Sequence, residues 1–148
     1  QRFSPEESEA MSEIAAYKTI ELMKGVVQSG TGVRLRSLYG FNNPIAGKTG
    51  TTQKNSDGYF MGITPDLTTG VWVGAEDRSV HFRSTRLGQG SHTALPIWAL
   101  YMKKVYADKN LNFSKGDFAK PYAPGVDLDF NCWQSESNEN VDEFIDDF

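Results

Sequence analysis

The chain has 148 residues, 39% of them hydrophobic, 12% aromatic and 23% charged, with a formal net charge of −4. That is one domain's length with apolar material for one modest core, which excludes a wholly disordered chain. No stretch approaches the roughly 18 apolar residues of a membrane span, and a single cysteine with two histidines excludes an internal disulfide and a zinc-type cluster.

The charge is unevenly spread. Six of the 19 acidic residues lie in 134–148, which holds no Lys or Arg, so residues 1–133 carry 15 basic against 13 acidic side chains. The body is near neutral, and the acidic bias belongs to a C-terminal tail that reads as a solvated end. A basic stripe with interleaved aromatics is absent, so no nucleic-acid partner is expected. The chain opens at Gln1 without Met or a signal segment and reads as a piece of something larger.

Residues 1–11 form a polar lead-in. Ser12 is a suitable N-cap for a helix over 13–28, along which Ile14, Tyr17, Ile20, Met23 and Val27 recur at spacings of three and four. Leu22 and Val26 widen that apolar stripe, and Gly30 and Gly32 stop the helix. A connector over 33–44 follows. Three strands are expected next, at 45–52, 58–64 and 69–76, linked by turns at Asn55-Ser56-Asp57 and at 65–68. Short links between them predict an antiparallel meander, and Gly62 and Gly74 inside strands predict a helix packed closely on one face. A polar, basic loop at 77–89 leads to a second helix over 91–108, with Leu95, Trp98, Ala99, Met102, Val105 and Tyr106 as its apolar set. The last forty residues show little periodicity and read mostly as loop. The fold class is therefore α+β, a three-stranded antiparallel sheet with a helix before it and a helix after it.

The feature with chemical content is Gly47-Lys48-Thr49-Gly50-Thr51-Thr52. A phosphate-loop reading fails, because it requires a glycine at position 42, where Asn stands, and a following helix where a hairpin is expected. The other reading is Lys-Thr-Gly on an edge strand. There a lysine and two hydroxyls face a carboxylate-bearing substrate, the glycine leaves room for its backbone, and free N–H groups can donate to an oxyanion. That tripeptide is one of three signature elements of penicillin-binding proteins and serine β-lactamases.

Around it, AYKTIELMKGVVQSGTG, GKTGTTQKNSDGYFMGITP, VWVGAEDRS and LGQGSHTALPIW follow one another over residues 16–108. In that order they resemble the C-terminal part of the transpeptidase domain of class A, bifunctional penicillin-binding proteins, with phrasing closest to Bacteroidetes-like bacteria. The domain division that follows is a lead-in at 1–11, the transpeptidase part at 12–108, an irregular extension at 109–133 and the acidic tail at 134–148. The family also needs a nucleophile in Ser-x-x-Lys and a second Ser-x-Asn element. None of the serines at 4, 8, 12, 29, 37, 56, 79, 84, 91, 114, 135 and 137 has Lys three positions on or Asn two positions on. The chain thus reads as one wall of a site without its nucleophile.

The resemblance implies a D,D-transpeptidase, the penicillin target. Its serine attacks the penultimate D-Ala carbonyl of a peptidoglycan stem peptide, releases D-Ala, and an amine resolves the acyl-enzyme as a crosslink. It implies that Lys48 adds positive charge and a hydrogen bond to the serine of Ser-x-Asn, and that Thr51 binds the terminal carboxylate through its hydroxyl and lends its N–H to the oxyanion. Thr49 shares the carboxylate and Gly50 leaves clearance. Thr52 is a further substrate-binding candidate, with a β-branched strand residue as the plain alternative. No cofactor or metal is implied. The implied partners are stem peptides, β-lactams and the rest of the transpeptidase domain. The implied location is the periplasmic face of the inner membrane, with an upstream membrane anchor. The competing readings are a non-catalytic penicillin-binding sensor or binding module and a serine β-lactamase fragment.

Several other residues read as structure. Tyr59, Phe60, Trp72 and Trp98 are expected in the sheet–helix core. His81 and His92 are expected at the surface or as caps, Arg78, Arg83 and Arg86 in a solvated loop, and Cys132 as an idle thiol. Half-covered helices and strands predict self-association.

Overall fold

The computed structural model describes residues 8–126. Cys132, the acidic tail and the first seven residues of the lead-in lie outside the described residues.

Helix α1 spans Glu13–Gln28. It begins where expected because the Ser12 side chain accepts from Ala15 N–H, and Glu13 places a carboxylate in the first turn. At its end Gly32 N–H bonds to Val26 C=O at 2.9 Å. The apolar stripe is only partly used. Val27 is fully buried, whereas Ile14, Tyr17, Ile20 and Met23 are half-covered and Leu22 is exposed. The connector carries a short helix α2, Arg34–Ser37, anchored by the buried Leu35.

Strands β1 (Ala46–Thr51), β2 (Gly58–Thr64) and β3 (Leu67–Val73) form one antiparallel sheet in the order β1-β2-β3. The third strand starts earlier and stops earlier than the expected 69–76. Only Pro65 and Asp66 turn, so Leu67 already pairs with Thr64, and β2 begins at Gly58 opposite Val73, so residues beyond Val73 have no partner. Helix α3 (Thr85–Gly88) and then α4 (Ala94–Ala107) follow.

Both long helices cover the same sheet face. A Cβ added at Gly47 would meet the Phe60 ring and Val27 of α1, while one at Gly62, paired with Gly47, would run into the Trp98 indole of α4. Trp98 fills the centre. It is fully buried, meets Phe60 edge-on at 5.3 Å and donates its indole N–H to Thr69 Oγ1 at 2.7 Å. Phe60 and Trp98 are core residues, as expected, but Tyr59 and Trp72 are not, at 41% and 51% exposure. Strand alternation is the reason: residues 59 and 72 are paired with each other and point to the face opposite the one that α1 and α4 cover.

The extension beyond α4 has no helix or strand among residues 109–126, yet it is tied to the body. Ser114 N–H donates to Asp66 Oδ2 at 2.7 Å, Phe113 packs on the core, and Asp117 pairs with Lys24 of α1 at 2.9 Å. No helix among the described residues is long and apolar enough to cross a membrane.

Candidate active site

The Lys-Thr-Gly element lies on β1, at the end of the sheet order, so the outer edge of β1 has no strand neighbour among the described residues. Pairing with β2 sets which way each side chain points. Lys48 lies opposite Met61 and Gly50 opposite Tyr59, on the face opposite α1 and α4; Thr49 lies opposite Phe60 and Thr51 opposite Gly58, on the helix-covered face. An edge strand is the position from which both sets reach the same open side.

Each side chain has a definite setting. Lys48 is exposed and its Nζ donates to Thr49 C=O at 2.8 Å. The Thr49 hydroxyl lies 2.8 Å from that of Thr31, in the turn after α1. Thr51 is exposed and its Oγ1 accepts from Gly90 N–H at 3.1 Å. Because that bond uses only a lone pair, the Thr51 proton is left to donate to an incoming anion. Gly50 stands against the Tyr59 side chain and beside the Gly90 backbone.

Thr52 stands apart from this group. Its Oγ1 donates to Asp57 Oδ2 at 2.9 Å, accepts from Asp57 N–H at 2.9 Å and touches Ser56 Oγ at 2.9 Å. Its hydroxyl is committed to closing the β1–β2 hairpin, where Lys54 and Asn55 take left-handed backbone at φ 60° and 56°. Asp57 also accepts from Ser56 Oγ and from the Trp72 indole N–H at 3.0 Å each. Hydrogen bonds from Thr52 and Trp72, with Ser56 and Arg78 behind them, hold its carboxyl below the usual carboxylate value. Exposed Trp72 therefore has a fixed role as a donor to the hairpin.

Two partners of the motif strand, and a histidine next to one of them, have no pattern of their own in the sequence. Thr31 sits in the Ser-Gly-Thr-Gly helix stop, whose glycines signal only a turn. Gly90 sits in Gly-Gln-Gly, and its contact with Thr51 spans 39 positions. His92, expected at the surface or as a cap, is exposed but bonded on both ring nitrogens: Arg34 Nη1 lies 2.8 Å from Nε2, and Ser91 Oγ lies 3.1 Å from Nδ1. Burial, then Arg34 and Arg86, push its pKa below the usual histidine value.

Comparison with known proteins bears on the family. Residues 4–93 match the family described as penicillin binding protein transpeptidase domain. The chain belongs to that transpeptidase family. Penicillin-binding protein 1B of Vibrio cholerae is 35% identical over 130 residues, covering 84% of this chain and 16% of its own length. Penicillin-binding protein 1A of Aquifex aeolicus is 38% identical over 104 residues, covering 68% of this chain and 13% of its own. The crystal structure of penicillin-binding protein 1A from Haemophilus influenzae superposes with a TM-score of 0.55 at 25% identity, over 72% of this chain and 15% of that one. These relatives are of the class A type, and the chain spans only 13% to 16% of the two curated relatives. The matched residues hold α1, the three strands and the Lys-Thr-Gly sequence.

Proposed function

We propose that this chain supplies the Lys-Thr-Gly wall of a peptidoglycan D,D-transpeptidase. The carrying observation is an edge strand in a transpeptidase-family chain on which Lys48 and Thr51 are exposed, with the Thr51 hydroxyl held by Gly90 and its proton free. In this reading residues 12–108 are the transpeptidase part, residues 109–133 an extension of it and residues 134–148 an acidic tail. Lys48 brings positive charge to the leaving-group side, Thr51 and Thr49 receive the terminal carboxylate of a stem peptide or a β-lactam, and Gly50 leaves space for the substrate backbone. Thr52 keeps the hairpin closed instead of touching substrate. The serine nucleophile comes from the rest of such a protein, on the periplasmic side of the inner membrane, because no Ser-x-x-Lys occurs in these 148 residues. It attacks the penultimate D-Ala carbonyl, D-Ala leaves, and an amine of a second stem peptide takes the acyl group.

The test is covalent labelling by a fluorescent penicillin, read by intact mass. An unactivated serine hydroxyl is a weak nucleophile at neutral pH, so the 148-residue chain should carry no adduct and the full-length transpeptidase should carry one. In the full-length protein Lys48→Ala and Thr51→Ala should each slow acylation by roughly 100-fold, the scale of losing one oxyanion-hole donor. Thr51→Val should be nearly as harmful, since it keeps the shape and loses the hydroxyl. A stoichiometric penicilloyl adduct on the 148-residue chain would sink this reading, and rapid turnover of the adduct in the full-length protein would make it a β-lactamase.

A further inference from the structure

A line of contacts runs from the motif strand to α2. Gly90 N–H donates to Thr51 Oγ1, and the Gly90 backbone lies so close to Gly50 and Tyr59 that a Cβ there would collide with both of their carbonyl oxygens. Gly90 belongs to a turn in which Gln89 C=O accepts from His92 N–H at 2.8 Å and Thr93 N–H at 3.1 Å, and Gly90 C=O accepts from Leu95 N–H at 2.9 Å. From the other side, Arg34 Nη1 reaches His92 Nε2 at 2.8 Å. A guanidinium only donates, so Nε2 accepts and the imidazole is neutral in this arrangement. Nδ1 then carries the proton and donates to Ser91 Oγ of the same turn at 3.1 Å. The imidazole therefore joins α2 to the turn that aims Thr51.

We propose that Arg34 and His92 are a positioning pair for Thr51, holding the Gly90 turn and with it the direction in which the Thr51 hydroxyl offers its proton to an anionic substrate group. This rests on the role proposed for Thr51 above. Neither residue touches the substrate; both act through Gly90.

The pair works only while His92 is neutral. Protonation removes the acceptor that Arg34 uses and sets an imidazolium between Arg34 of α2 and Arg86 of α3, two residues before the N-terminus of α4, where a positive charge is disfavoured. The same surroundings hold its pKa below the ordinary histidine value, so the pair stays assembled at neutral pH and comes apart on the acid side.

Two measurements test this. The first is amide exchange at Gly90 in the 148-residue chain, which does not depend on catalysis. His92→Ala should lose protection there roughly tenfold, and His92→Gln, whose side-chain oxygen reaches the Nε2 position, should recover most of it. Unchanged protection in His92→Ala would overturn the proposal. The second is penicillin acylation of the full-length protein. His92→Ala and Arg34→Gln should each be roughly tenfold slower, because a misplacement of about 1 Å can cost on the order of 100-fold. His92→Gln should recover rate and also lose the acid-side decline of the wild type, a change that a merely structural defect would not produce. Wild-type rates in both His92→Ala and Arg34→Gln, with Thr51→Ala impaired, would overturn the pair. Should Thr51→Ala itself acylate normally, the reading of the active site fails instead, while lost Gly90 protection in His92→Ala still supports the pair as what fixes Thr51.

Discussion

The hydroxyls of Thr31 and Thr49 lie 2.8 Å apart, joining the turn after α1 to the middle residue of the motif strand. Thr31→Val deletes one partner and leaves the other to water. Because the pair is exposed, the expected cost is about 0.5–1 kcal/mol, and Thr31→Ser should be close to neutral. Urea unfolding of Thr31→Val, Thr49→Val and the double variant should give a coupling of similar size. Strict additivity would show that the two hydroxyls do not support each other.

Asp57 makes stability depend on pH in a defined direction. Its carboxyl is held below the ordinary value of 3.8, so near that pH the unfolded chain binds more protons than the folded one. The contribution is complete above pH 3.8 and is lost as the pH falls through the folded value. A melting-temperature series from pH 7 to pH 2.5 should therefore show an acid loss that is smaller in Asp57→Asn. Trp72 fluorescence should change over the same range, since its indole N–H donates to that carboxylate.

Gly62→Ala should be costly although it adds one methyl group. The new Cβ would overlap the Trp98 indole, which is fully buried and held by Phe60 and Thr69. Overpacking of this kind costs about 1–3 kcal/mol. Chemical denaturation followed by tryptophan emission is the check. Gly25→Ala, where an added Cβ meets nothing, is the control and should be neutral or slightly stabilising within its helix.

Lys24 ties the extension to α1 through Asp117 at 2.9 Å while also pairing with Glu21 at 2.8 Å. The Asp117 carboxylate is more than half exposed, so Asp117→Asn should change global stability by less than about 1 kcal/mol. Its effect should be local. Limited proteolysis should cut within residues 109–126 faster in Asp117→Asn than in the wild type, with the cleavage pattern of α1 and the sheet unchanged. An identical cleavage rate would show that Phe113 and Ser114 hold the extension without the ion pair.

Local signals carried the element types. Ser12 with a three-and-four apolar spacing is enough to start α1, because capping and amphipathicity act within one helix. Residues 58–64 read directly as a strand for a similar reason, because the turn residues at 55–57 and 65–68 that bound it are local signals. The order of segments around Gly47-Lys48-Thr49-Gly50 carried the family resemblance. Ends and faces were less legible. The start of β3 at Leu67 depends on pairing with Thr64, and the exposure of Tyr59 and Trp72 depends on which face α1 and α4 cover. Neither is a property of the strand alone.

The chain by itself determined an α+β meander flanked by two helices, a Lys-Thr-Gly strand and the lack of a Ser-x-x-Lys nucleophile, since each is written in spacing or in residue identity. Only the tertiary structure decided what each motif hydroxyl does. Thr52 turned inward to Asp57, Thr49 met Thr31, and Thr51 met Gly90 in a turn braced by His92 and Arg34. Those partners lie from 5 to 58 positions apart. A hydrogen bond spanning a few ångströms leaves no periodic trace in a sequence when chain folding, and not local conformation, brings its two ends together.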